Sequence, residues 1–231
     1  MNNIEFDKQH IWHPYTSAVN PLPCYEVVGA KGAELTLSTG EVLVDGMSSW
    51  WAAIHGYNHP VLNDAAHKQI EAFSHVMFGG ITHQPAVDLC KTLLNMVPAG
   101  LERVFLADSG SVSVEVAIKM AIQYQLAIGQ SQRKLILARN LSYHGTTISM
   151  AGLSGHASRK RGLESILEDH PQIQTPYPLR CPLGPHHPDA CEYYLQDLET
   201  TIQELGPENI AALIAEPING SSGGAITPPE G

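Results

Sequence analysis

Residues 103–120, RVFLADSGSVSVEVAIKM, decide the fold. Val104-Phe105-Leu106 reads as a buried strand, Asp108-Ser109-Gly110-Ser111 as a tight turn, and Val112–Ile128 as a long helix. Glycine in the turn allows a sharp bend and close approach of the backbone to a ligand. The turn opens a helix, whose first N–H groups lack partners and whose positive dipole end favours a phosphate. Ser109 and Ser111 add hydroxyls. Taken alone, the segment fits a plain strand–turn–helix connection with a serine cap as well as a seat for a phosphorylated cofactor.

Downstream, the pattern repeats. Lys134–Ala138 (KLILA) and Ala211–Ala215 (AALIA) read as two further buried strands. Between them the sequence predicts a helical segment from about Thr146, a Pro-rich loop from His170 to Pro188, and a helix over Tyr193–Leu205. Strands alternating with helices imply a mainly parallel sheet covered on both faces. Ligands in such sheets gather at the carboxyl ends of the strands. The Asp108–Ser111 turn, Tyr143-His144-Gly145 and Glu216-Pro217 all fall there.

The first third reads differently, with short extended runs at Tyr25–Val27, Glu34–Leu37 and Val42–Val44. Helices follow over Val61–Phe73 and Pro85–Met96. The Val112–Ile128 helix carries Val114, Ile118, Ala121, Ile122 and Leu126 on its apolar side, leaves Lys119 exposed, and closes at Gly129.

Composition is that of an ordinary globular protein, 43% hydrophobic and 16% charged. A net charge of −10 argues against nucleic acid or an anionic membrane as partner. The one basic cluster, Arg159-Lys160-Arg161, reads as a solvated face. The start of the chain has no apolar signal region and no stretch is long enough to span a membrane, so a cytoplasmic location is expected. Four cysteines without a secretory signal are expected as free thiols. Cys181, His186, His187 and Cys191 fall within eleven residues, so a zinc knuckle is one reading; without a tight Cys-x-x-Cys pair and with three prolines among them, a surface excursion before a helix is the expected one.

HIWHPYTS (His10–Ser17), DGMSSWWAAIHGYNHP (Asp45–Pro60), SHVMFGGITH (Ser74–His83) and FLADSGSVSVEVAIKMA (Phe105–Ala121) together resemble the class III (fold type I) pyridoxal-phosphate aminotransferases. HIWHPYTS and the MSSWWA run are narrower. They resemble the biotin-pathway branch, which transfers an amino group from S-adenosylmethionine to 8-amino-7-oxononanoate. The resemblance implies an α/β PLP-transferase fold, with an N-terminal β-rich segment of the small domain over residues 1–55 and an incomplete large domain over 56–231. It implies pyridoxal 5'-phosphate as cofactor and a homodimer as the parent assembly. Gly110 and Ser111 would hold the cofactor phosphate and Tyr143 would lie against its ring. Tyr15, Trp50 and Tyr143 would line the substrate pocket. An aromatic wall suits a substrate with an apolar chain. Trp51 is expected in the core, and His13, His55 and His59 as hydrogen-bonded structural residues. Glu216 reads either as a site residue or as a satisfied strand-end carboxylate.

From about Leu141 the chain resembles another class III branch, acting on ω-amino or amino-acid donors. Transamination also needs a Schiff-base lysine and an acid beside the pyridine nitrogen, and in the family both follow the Glu-Pro strand. None of the seven lysines stands in that context, so no catalytic residue is expected here and the chain alone is expected to be inactive. Two other readings stand beside this one: an ω-amino acid aminotransferase, and a non-catalytic remnant or binding module.

Overall fold

A computed structural model describes residues 1–221 and 223–230. They gather into two compact units, Met1–Leu89 and Cys90–Gly231.

The first unit opens with α1 (Asn3–His10), which the sequence reading did not foresee. Asn2 and Glu5 cap each other's backbone N–H groups, a reciprocal box that stabilises this short helix. A three-stranded antiparallel meander follows, formed by β1 (Val27–Lys31), β2 (Glu34–Leu37) and β3 (Val42–Val44). β1 lies later than the expected Tyr25–Val27, whereas β2 and β3 fall where the alternation put them. Lys31 pairs with Glu34 across the first turn, and Thr36 with Val42 across the second strand pair. A four-residue helical segment, α2 (Ser48–Trp51), then turns in the left-handed sense, with φ between 48° and 71° at all four residues. L-residues resist this by roughly 1–2 kcal/mol each. Asp45 compensates locally: its carboxylate accepts from the N–H of Met47 (2.9 Å) and of Ser49 (2.7 Å), and from the Tyr57 hydroxyl. Trp51, expected in the core, is 58% exposed because this turn swings it outward. Two amphipathic helices complete the unit, α3 (Pro60–Ala72) and α4 (Gln84–Leu94), and the boundary between the units falls within the second.

The second unit is built on a parallel sheet in the order β5 (Gln172–Ile173), β4 (Leu135–Arg139), β6 (Ile210–Leu213). β4 is central, and Ile136, Leu137 and Ala138 are buried on both of its faces, as a continuous apolar run requires. α5 (Gly110–Ala127) lays Val114, Ile118 and Ile122 on Ile136 and Ala138, joined there by Met150 and Leu153 of α6 (Ile148–Leu153). Each aliphatic chain fully removed from water there contributes about 1.5–3 kcal/mol. α8 (Ala190–Leu205) runs beside β5, where Asp197 accepts from the Gln174 N–H at 2.8 Å.

Four expectations need correction. Val104–Leu106 forms no strand: it runs without a ladder partner among the described residues, and Phe105 is exposed. Apolar composition cannot make a strand where no neighbouring strand supplies hydrogen bonds. Leu126 is exposed, since the apolar stripe of α5 ends a turn earlier. The basic cluster is only partly solvated: Lys160, at the end of α7 (Ala157–Lys160), donates to the Gly152 carbonyl at 2.7 Å, and Arg159 is half-buried. The loop from His170 to Pro188 contains β5 and a 3-10 turn (Pro178–Arg180). Within it Cys181 packs against Ala190 and Tyr194 as a small hydrophobe. Among the described residues this loop assembles no cluster of metal-ligating groups.

Candidate active site

The N-terminus of α5 is made by its sequence. Ser109 adopts extended backbone and its Oγ accepts from the Val112 N–H at 3.2 Å, capping the helix. A Cβ on Gly110 would meet no atom within 4 Å, so the space before the first helical turn is open. Ser111 faces the loop after β4, and its Oγ accepts from the Thr146 N–H at 3.1 Å. Gly145 makes that approach feasible. It sits at φ 141°, and a Cβ there would stand 2.5 Å from the Ser111 hydroxyl. No other residue fits.

Glu216 ties the third segment to the second. One carboxylate oxygen accepts from the Tyr143 N–H at 2.8 Å and the other from the Gly220 N–H at 3.1 Å. The guanidinium of Arg139, at the end of β4, donates to the Glu216 carbonyl at 3.0 Å. Glu216 is thus a satisfied strand-end carboxylate that also borders the site. The Arg159 guanidinium stacks over the Tyr143 ring, 4.4 Å from its centroid. His144 is buried, with its N–H donating to Ser154 Oγ at 3.0 Å and its Nε2 without a hydrogen-bond partner among the described residues. Burial pushes its imidazole below the usual histidine range, against the opposing pull of the Glu216 charge.

These segments enclose an open cleft of about 580 Å³, lined by Gly110, Ser111, Tyr143, Gly145 and Glu216 among others. The volume is that of a small-ligand site. A phosphate fits at the start of α5: helix N–H groups, an open Gly110 and a serine hydroxyl are the donor set a dianion needs. No lysine lines the cleft among the described residues. Lys119 lies on the exposed side of α5.

In the first unit, Tyr15 and Trp50 meet, with ring centroids 5.4 Å apart and planes tilted by 56°. Both have left-handed backbone, φ 57°. Non-glycine residues held there cost of order 1–3 kcal/mol and concentrate at functional sites. His13 bonds to Asp7 as expected, but His59 has a buried Nδ1 without a partner among the described residues. Sequence reasoning missed Arg159, Asp45 and Glu115. Glu115 accepts from the Thr147 hydroxyl (2.7 Å) and the Ser149 hydroxyl (2.8 Å), joining α5 to α6. Only Asp45 left a signal, an Asp-Gly step ahead of serines that suits a side-chain-capped turn.

A family model described as aminotransferase class-III matches residues 15–231. The chain belongs to the class III aminotransferases. Members of this family use pyridoxal phosphate. This class III aminotransferase chain is 45% identical over 224 residues to an adenosylmethionine-8-amino-7-oxononanoate aminotransferase of Buchnera aphidicola from Schizaphis graminum, covering 96% of itself and 50% of that protein. The enzyme of the same name from the Acyrthosiphon pisum symbiont is 60% identical over 149 residues, 64% of this chain and 35% of the relative. The omega transaminase of Pseudomonas jessenii, solved in complex with PMP, superposes with a TM-score of 0.91 at 29% identity, over 100% of this chain and 51% of its own. The chain spans about half the length of the curated relatives it matches over most of its own length.

Proposed function

We propose that this chain carries the phosphate seat and an aromatic substrate wall of a pyridoxal-phosphate aminotransferase that moves an amino group from S-adenosylmethionine to 8-amino-7-oxononanoate, giving 7,8-diaminononanoate for biotin synthesis. The observation that carries this reading is the meeting of the Ser109–Ser111 turn with the segments after β4 and β6 in one cleft at the N-terminus of α5. The backbone N–H groups of Gly110 and Ser111, with the Ser111 hydroxyl, donate to the cofactor phosphate. Tyr143, restrained by Arg159 and by the bond from its N–H to Glu216, offers a flat surface to the cofactor ring. When bound, the cofactor supplies the electron sink for amino transfer. Tyr15 and Trp50 supply apolar area and one phenolic handle for the acceptor's hydrocarbon chain. Residues 1–55 are assigned to the small domain and 56–231 to the large one, in a parent enzyme acting as a homodimer. The four cysteines are free thiols, which suits the cytoplasm, and no helix among the described residues is long and apolar enough to cross a membrane. With no lysine in the cleft among the described residues, these 231 residues alone are expected to show no turnover.

A second reading, an ω-amino acid aminotransferase, is favoured by one observation. It is the superposition, at a TM-score of 0.91 and 29% identity, on the omega transaminase of Pseudomonas jessenii. Tryptophan fluorescence separates the two. With pyridoxal phosphate present, 8-amino-7-oxononanoate is expected to quench the signal of wild type and to act weakly on Trp50→Phe, while β-alanine leaves both unchanged. Quenching by β-alanine alone would support the second reading and overturn the first.

A further inference from the structure

In the first unit, three side chains that play no part in the proposed reaction converge. Asp7 lies on α1, His13 just beyond its end, and Cys24 ahead of β1. The His13 Nε2 stands 2.8 Å and 3.1 Å from the two carboxylate oxygens of Asp7, and 4.0 Å from Cys24 Sγ. One ligating atom from each residue lies within 4.8 Å of the other two. The three line a pocket of about 220 Å³ that Trp12 and Thr16 help to close. The Asp7 side chain is only 18% exposed, while His13, at 46%, keeps the pocket open to solvent.

A hydrogen bond between His13 and Asp7 accounts for the short contact but not for a thiol brought to the same nitrogen. Nitrogen, oxygen and sulfur donors together are the mixed set that borderline transition metals prefer over calcium or magnesium. In a tetrahedral zinc shell such donors stand roughly 3.3–3.6 Å apart. The observed separations bracket that value, and side-chain rotations of a few tenths of an ångström reach it. We propose that Asp7, His13 and Cys24 form a site for a divalent transition metal, zinc foremost, whose fourth position is open to water. On ligation the Cys24 thiol gives its proton to solvent, the imidazole binds in its neutral form, and the carboxylate is already ionised, so one proton is released per ion taken up. His13 and Cys24 flank the segment that bears Tyr15. The ion would clamp both ends of that segment.

Equilibrium dialysis of the full chain against zinc, followed by metal analysis, tests the site. Wild type is expected to retain one ion per chain, with uptake increasing as pH rises. Cys24→Ser and His13→Ala are expected to retain none above background. The near-isosteric Asp7→Asn, which leaves α1 its hydrogen-bonded cap, is expected to weaken uptake at least tenfold even if another variant fails to fold. Cobalt in place of zinc is expected to give thiolate charge-transfer absorption that survives Cys90→Ser and vanishes in Cys24→Ser. Retention by Cys24→Ser equal to wild type, no retention by wild type, or a cobalt band lost in Cys90→Ser would each overturn the proposal. None of these readings depends on the cofactor or on transamination.

Discussion

At the scale of the residue, the second unit's cleft depends on two close approaches. Gly145 accepts a backbone conformation and a proximity to Ser111 that no side chain tolerates. Gly145→Ala is therefore expected to destabilise the chain by about 1–3 kcal/mol, read as a lower denaturation midpoint; an unchanged midpoint would mean that the loop is free to move. Glu216 holds the Tyr143 and Gly220 N–H groups with a charge. Glu216→Ala leaves two half-buried donors unsatisfied and is expected to cost about 2–4 kcal/mol in the same measurement, most of it avoided in Glu216→Gln. Much of this was legible beforehand. The YHG and Glu-Pro steps were readable as strand-end features and the DSGS turn as a helix start, although the strand expected before that turn does not form, because turn chemistry is local. The stacking of Arg159 on Tyr143 was not, because it joins residues on separate segments whose approach is decided by packing. The Asp7–His13–Cys24 cluster was hidden for the same reason: its spacing matches no short metal motif.

At the scale of the element, local pattern served best where an element supplies its own hydrogen bonds. α5, α8 and the meander fell close to where periodicity put them. Val104–Leu106 did not become a strand, since a strand needs a neighbour and composition is silent about the neighbour. α1 was missed because its stability comes from a capping box and not from an apolar face. The joint between α5 and α6 is polar. Two hydroxyls hold the Glu115 carboxyl below the usual carboxylate range, with Lys119 adding to the effect, so this joint is strong at neutral pH and weakens as acid protonates Glu115. Glu115→Ala is expected to lower the thermal midpoint by about 2–4 °C at pH 7, with the gap from wild type closing below the ordinary glutamate pKa. Burial pushes His144 and His170 below the usual histidine range. The unfolded chain then binds protons more readily than the folded one, so stability is full above about pH 6.5 and is lost as pH falls toward the folded values. Thermal melts from pH 7.5 to 5.5 are expected to show this slope, with a shallower one in His144→Gln.

At the scale of the whole molecule, each unit leaves apolar area uncovered: Phe105, Leu106 and Leu213 in the second and all of β3 in the first are exposed. Uncovered strands and apolar area favour association. Size-exclusion chromatography is expected to show self-associated protein, and a sharp monomer peak stable to concentration would contradict this. The central claim is narrower, that the first turn of α5 grips the phosphate of pyridoxal phosphate. Titration of the intact chain with the cofactor, followed by its absorbance, tests it most directly. Saturable binding that weakens about tenfold in Ser111→Ala is the expected result; identical curves for the variant and wild type, or no binding by either, would contradict it.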